Sequence, residues 1–219
     1  MFVGHFALGL GAKRYAPAVS LGTLFLAAQF ADILWPTLLI AGLERVEIDP
    51  GNTALTPLNF VSYPYSHSLL ALAVWSALFA AIFRVLHRLR SAASVTVGLL
   101  VVSHWFLDLP MHRPDLPLTL DGPGRFGFGL WNRPLMAITL ELLLFGVGIA
   151  SYLRSTRART TRGTVGLWAL IVFLVAAYFA ALFGPPPPSP TVLAWSAQSM
   201  WLLVAWGYWI DRLRVPRGA

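Results

Sequence analysis

The stretch "SHWFLDLPMH", residues 103 to 112, places two histidines and an aspartate at the end of an otherwise apolar run. Residues four apart share a helix face, so His104 and Asp108 project together. Neutral imidazole and carboxylate at that spacing suit a divalent metal, and the next turn brings His112 round if the helix continues past Pro110. The alternative is that Asp108 only orients His104 through a hydrogen bond.

Other ionisable groups stand where hydrocarbon is expected. His67 in "YPYSHSLLALA" enters the first turn of a helix that Ser66 can cap, at the depth of Asp108. Asp32 in "AAQFADILWPTLL" has no neighbour in sequence to neutralise it, and Pro36 predicts a break in that helix. Glu141 lies two turns into a later apolar run and suits a general base or a further ligand. An acid inside an apolar span costs at least ~2.5 kcal/mol, which makes it a functional candidate by default. His5 opens a short apolar segment ending at Lys13, so it either sits in a re-entrant helix that reaches the others or takes no part. His87, within "FRVLHRLR", reads as part of a cationic interfacial face, and Trp131 as part of an aromatic belt.

The elements that must position these residues are membrane helices. The 219 residues are 57% hydrophobic and only 11% charged, outside the usual range of soluble proteins. Six apolar runs are read, at Ser20–Leu43, Ser68–Leu86, Ala92–Leu109, Leu135–Leu153, Val165–Phe183 and Val192–Ile210. Each is near the ~20 residues that cross ~30 Å of hydrocarbon. The expected fold is all-α, a single polytopic domain over 1–219 with a short N-terminal helix.

Basic residues alternate between the connections: Lys13 and Arg14; Arg84, Arg88 and Arg90; Arg154, Arg157, Arg159 and Arg162; Arg212, Arg214 and Arg217. These mark the cytoplasmic side, with both termini inside. The connections Glu44–Ser66 and Pro110–Asn132 face outward and are long enough to cap the mouth of the bundle, whereas "GPPPPSP" is a stiff spacer. The net charge of +7 is thereby accounted for by topology and anionic lipid, which leaves nucleic acid little to explain. With no cysteine, any metal is held by nitrogen and oxygen: zinc first, manganese or iron as alternatives.

These residues resemble those of the YdjM-like group, bacterial inner-membrane proteins described as metal-dependent hydrolases. The likeness rests on Gly4-His5 before an apolar run, Asp32 near the end of the next, Ser66-His67-Ser68-Leu69 at a helix start, and His104 with Asp108 at the end of the following helix. It covers residues 1–110, and the helices within 133–211 carry none of it. Leu34 stands where the group has a second aspartate, and Tyr63-Pro64 where a histidine-arginine pair often precedes the motif. The resemblance implies a multi-pass bacterial inner-membrane protein with bound metal.

The expected function is hydrolysis of an amphiphilic ester or phosphoester at an outward-facing site. Asp32, His67, His104 and Asp108 are the expected ligands, His5 and His112 further candidates, and Asp108 or Glu141 the proton acceptor. The rival is an ion-coupled permease using Asp32 and Glu141. A third reading is a non-catalytic scaffold with a structural metal.

Overall fold

Ser20 starts a helix by accepting the Thr23 N–H at 3.1 Å, and eight residues later that helix ends at Gln29, whose ψ of 10° leaves the helical path. The computed structural model describes residues 1–86 and 91–217. His87, Arg88 and Arg90 lie outside the described residues. The helices are α1 (Val3–Ala12), α2 (Leu21–Ala28), α3 (Phe30–Ile40), α4 (Pro64–His67), α5 (Leu69–Leu86), α6 (Ser91–Met111), α7 (Pro134–Ser155), α8 (Thr161–Phe183), α9 (Pro190–Ala197) and α10 (Met200–Arg212). Short antiparallel ribbons join the connections: β1 (Arg45–Ile48) with β2 (Leu58–Ser62), β3 (Leu116–Pro117) with β4 (Arg125–Phe126), and β5 (Thr156–Ala158) with β6 (Arg214–Pro216).

The chain is mostly helical, and among the described residues three helices are long and apolar enough to cross a membrane: Ala92–Met111, Pro134–Ser155 and Thr161–Phe183. The expected first span is instead the pair α2 and α3, bent by 58°. The break falls at Gln29 and not at Pro36, which lies inside α3. Pro36 removes only the bond to the Asp32 carbonyl, one turn from the start of α3, so it interrupts no long run. The expected sixth span is likewise divided, into α9 and α10.

A second correction concerns His67. Ser66 does not cap the long helix; the chain makes the single turn α4, then Ser68 turns extended (φ −70°, ψ 145°) and accepts the Ala71 N–H at 3.1 Å. Ser68 is thus the cap of α5, and Ser66 is free for other partners. At the same end of the bundle, α6 runs through Pro110 to Met111, and His112 N–H still reaches the Asp108 carbonyl at 2.9 Å.

Beside a smaller apolar core around Leu55, Met111 and Ala137 stand two larger ones. One joins Phe6, Leu10, Phe25, Phe145, Leu170 and Val204, from α1, α2, α7, α8 and α10. The other joins Leu24, Ala28, Trp35, Leu72, Val97 and Trp105, from α2, α3, α5 and α6. Helix α2 belongs to both, and its bend therefore sits between them. Outward faces remain apolar: Leu70, Val74, Leu78 and Ile82 form an exposed stripe at every fourth residue of α5, as a lipid-facing helix requires.

Helix α1 is the element that links the two ends. Lys13, at its C-terminal end, is buried and paired with Asp211 at 2.6 Å, and shares a groove with Arg14, Arg154 and Arg217. Met1 lies at the opposite end, against Asp108, so Met1 is remote from the basic end that the topology expectation assigned to both termini. A helix of ten residues covers ~15 Å, enough to bring His5 to the buried acids. Its contact with α7 is backbone-close: a Cβ on Gly148 would collide with the backbone of Ala7. Gly148→Ala is therefore expected to destabilise the protein by about 1–3 kcal/mol, the usual cost of overpacking. A lowered thermal midpoint in detergent would check this, and an unchanged midpoint would show that α1 can shift.

Candidate metal centre

Helices α1, α3, α4 and α6 converge on one buried group of histidines and carboxylates. Asp32, in the first turn of α3, stands 3.5 Å from His67 Nε2 and 3.6 Å from His104 Nε2 through its Oδ1. Asp108 Oδ2 stands 3.3 Å from His104 Nε2 and 3.7 Å from His112 Nε2, while its Oδ1 lies 3.1 Å from His5 Nε2 and touches the Met1 amino group. Among the described residues, two sets have donor atoms close enough to share an ion: Asp32, His67 and His104, and His5, His104 and Asp108. All are buried except Asp32, whose side chain is 24% exposed.

Which nitrogen of each ring carries its proton follows from the other partners. His104 Nδ1 lies 3.1 Å from the Ala28 carbonyl, which only accepts, so Nδ1 donates, and in the neutral ring the lone pair is on Nε2. Ala28 is the last residue before the Gln29 break, and the bend presents its carbonyl to α6. His67 Nδ1 lies 2.7 Å from Ser66 Oγ, whose single proton goes to Glu44 Oε2 at 2.6 Å. The hydroxyl must therefore accept from His67, and again Nε2 is left as the ligand atom. His112 Nδ1 donates to Asp115 Oδ1 at 2.9 Å.

Three rings thus have Nδ1 anchored by an acceptor and Nε2 turned to the two aspartates. This is the outer-partner arrangement that fixes metal-bound imidazoles. The separations argue the same way. A charge-assisted N–H···O bond is about 2.7–2.9 Å, shorter than the 3.3–3.6 Å found between His104, His67 and the aspartates. Ligand atoms on one tetrahedral ion with bonds of ~2.0–2.1 Å stand about 3.3 Å apart. Among the described residues, His104 Nε2 has no hydrogen-bond partner, which a direct His–Asp hydrogen bond would have supplied.

The long connections contribute the outer supports. Glu44 accepts from Tyr65 N, Ser66 N and Ser66 Oγ at 2.6–2.9 Å and is buried. Tyr63 donates to Asp115 at 3.1 Å, and Arg113 Nε donates to the other oxygen of Asp115 at 3.2 Å. Burial together with Asp115 raises the Tyr63 hydroxyl above its ordinary value, so it remains a donor, while burial pushes the His112 imidazole down and favours its neutral form. Trp131, expected at an interfacial belt, instead covers His112 with ring centroids 4.3 Å apart.

Glu141 is placed differently from the rest. Its Oε2 accepts from Phe2 N at 2.8 Å and Gly4 N at 3.2 Å, so it satisfies the free amides at the start of α1. It also lines a cavity of about 230 Å³ together with the polar Asp32, Asp108 and His112 and the apolar Phe2, Leu55, Leu182 and Met200.

Sequence reasoning did not single out Glu44, Ser66 as a proton relay, Asp115 or the Ala28 carbonyl. Glu44 and Asp115 follow or precede apolar runs as ordinary loop acids do, and only the hairpin β1–β2 carries Glu44 to Ser66. The available signal was local: Asp115 stands three residues after His112, a spacing that permits the contact when the chain turns.

The class so defined is a mostly helical chain with helices long and apolar enough to span a membrane and a buried His/Asp group that could hold a metal ion. Beyond that class, no protein-family model, no curated protein and no solved structure matches the chain.

Proposed function

We propose that this chain is a multi-pass membrane hydrolase of the YdjM-like kind, holding a divalent metal, zinc first, and cleaving an ester or phosphoester of an amphiphile. The observation that carries the reading is the set of anchored imidazoles, His67, His104 and His112, whose Nε2 atoms face Asp32 and Asp108. In this reading six spans cross a bacterial inner membrane, with α2–α3 and α9–α10 as broken spans and the basic connections inside.

A bound divalent ion would supply a water of pKa ~7 and polarise the scissile bond. Asp32, His67, His104 and Asp108 hold it. Asp108 would be committed to holding the ion, which leaves Glu141, whose Oε2 is fixed by two amides, as the group that would accept a proton. The adjoining apolar wall of Phe2, Leu55, Leu182 and Met200 excludes water and receives an alkyl chain.

The test is hydrolysis by detergent-purified protein of nitrophenyl esters of increasing chain length and of bis(nitrophenyl) phosphate. Activity that disappears on chelation and returns with zinc or manganese is expected. No turnover by metal-loaded protein would defeat the hydrolase reading. One observation favours the permease instead: Asp32 stands just past the helix break, where transporters place coupling acids. Substrate-driven proton or ion uptake in proteoliposomes, lost in Asp32→Asn, would decide for it.

A further inference from the structure

We infer that the cluster holds two divalent ions bridged by Asp108, with His5 as a ligand of the second. The inference rests on the metal reading above. The rings of His5 and His104 are stacked, with centroids 3.7 Å apart and planes within 4°. An imidazole nitrogen offers one lone pair, in the plane of its ring. An ion shared by both rings would stand half their separation out of each plane. With bonds of ~2.0–2.1 Å it would then lie over the edge of each ring, where neither nitrogen directs a lone pair. Two parallel stacked imidazoles therefore cannot share one ion and can each serve only an ion of their own, so His5, His104 and Asp108 do not form a single-ion site.

Asp108 is disposed to match. Its Oδ1 faces His5 Nε2 at 3.1 Å, and its Oδ2 faces His104 Nε2 at 3.3 Å. One oxygen per ring is the geometry of a bridging carboxylate. Ions held along two rings stacked in this way are separated by about the ~3.5–4 Å of two-metal hydrolytic centres. The first ion takes Asp32, His67, His104 and Asp108 Oδ2. The second takes His5 Nε2 and Asp108 Oδ1, and Asp108 also lines the cavity with Glu141. The Met1 amino group rests on the same Oδ1 and is the competing cation there.

The count of ions bears on the substrate. With one divalent ion, the two liganding aspartates leave the centre neutral. A second makes it a net cation, which favours an anionic phosphoester over a neutral carboxylic ester.

The experiment is elemental analysis of wild type, His5→Ala and His5→Gln after loading with excess manganese and desalting, with circular dichroism on each. Two equivalents in wild type and one in both variants, at unchanged helicity, are expected. The wild-type manganese spectrum in electron paramagnetic resonance should show exchange coupling that either variant abolishes. One equivalent in wild type, unchanged by the variants, overturns the second ion and leaves the Met1 amino group as the cation at Oδ1. Two equivalents with an uncoupled spectrum overturn the bridge. No metal in any sample overturns this inference together with the metal reading, whereas one equivalent leaves that reading standing.

Discussion

Alanine at His104 is expected to strip the protein of bound metal and of hydrolysis together. His104 Nε2 is the donor common to both candidate sets, standing 3.6 Å from Asp32 and 3.3 Å from Asp108. Losing an outer partner of a ligand costs ~10–100-fold in metal affinity, and loss of the central ligand should exceed that. The substitution also leaves the Ala28 carbonyl without its His104 donor, a further cost of about 1–3 kcal/mol for a buried group. Elemental analysis and a thermal melt on the same sample separate the two effects. Full metal occupancy in folded His104→Ala would mean that the ion lies elsewhere and would remove the proposed centre.

The second large effect is expected at a residue that touches no ligand atom of the centre. Glu44→Ala removes the acceptor of Tyr65 N, Ser66 N and Ser66 Oγ. Two amides lose their partner, at about 2–6 kcal/mol in total. The Ser66 proton, no longer taken by Glu44, is then free to turn toward His67 Nδ1, 2.7 Å away. That moves the imidazole proton to Nε2 and blocks its lone pair. Metal affinity should fall by ~10–100-fold, and Ser66→Ala, which cannot donate to Nδ1, should lose less. A titration with a chromogenic metal indicator checks the order of the three proteins. Lower stability with unchanged affinity in Glu44→Ala would show that the Glu44–Ser66–His67 chain supports the fold alone.

Much of the candidate site was legible because its residues are chemically out of place. His104 and Asp108 fall on one face of α6 by spacing alone, and Asp32, His67 and Glu141 interrupt apolar runs. Their types and depth could be read without a structure, since hydrocarbon tolerates few such groups. Helix ends were less legible. Both Ser66 and Ser68 can cap a helix, and Pro36 is a stronger breaker than Gln29 by propensity. The chain nevertheless breaks at Gln29, where α2 is shared by two cores and the Gln29 amide reaches the Phe2 carbonyl at 3.4 Å.

The sequence by itself determined that this is a helical, apolar chain with helices able to span a membrane, with nitrogen and oxygen ligands at the ends of several of them. Periodicity, composition and the absence of cysteine are local properties, and they suffice for that. Only the tertiary structure decided which ligands meet and which nitrogen each imidazole presents. His5 joins Asp108 across 103 residues, and Glu44 reaches Ser66 across 22. Such pairings depend on the bend at Gln29, on the close approach of α1 to α7 at Gly148, and on the β1–β2 hairpin. None is encoded by neighbours in sequence, because each is settled by which buried surfaces pack together and which polar groups must then find partners.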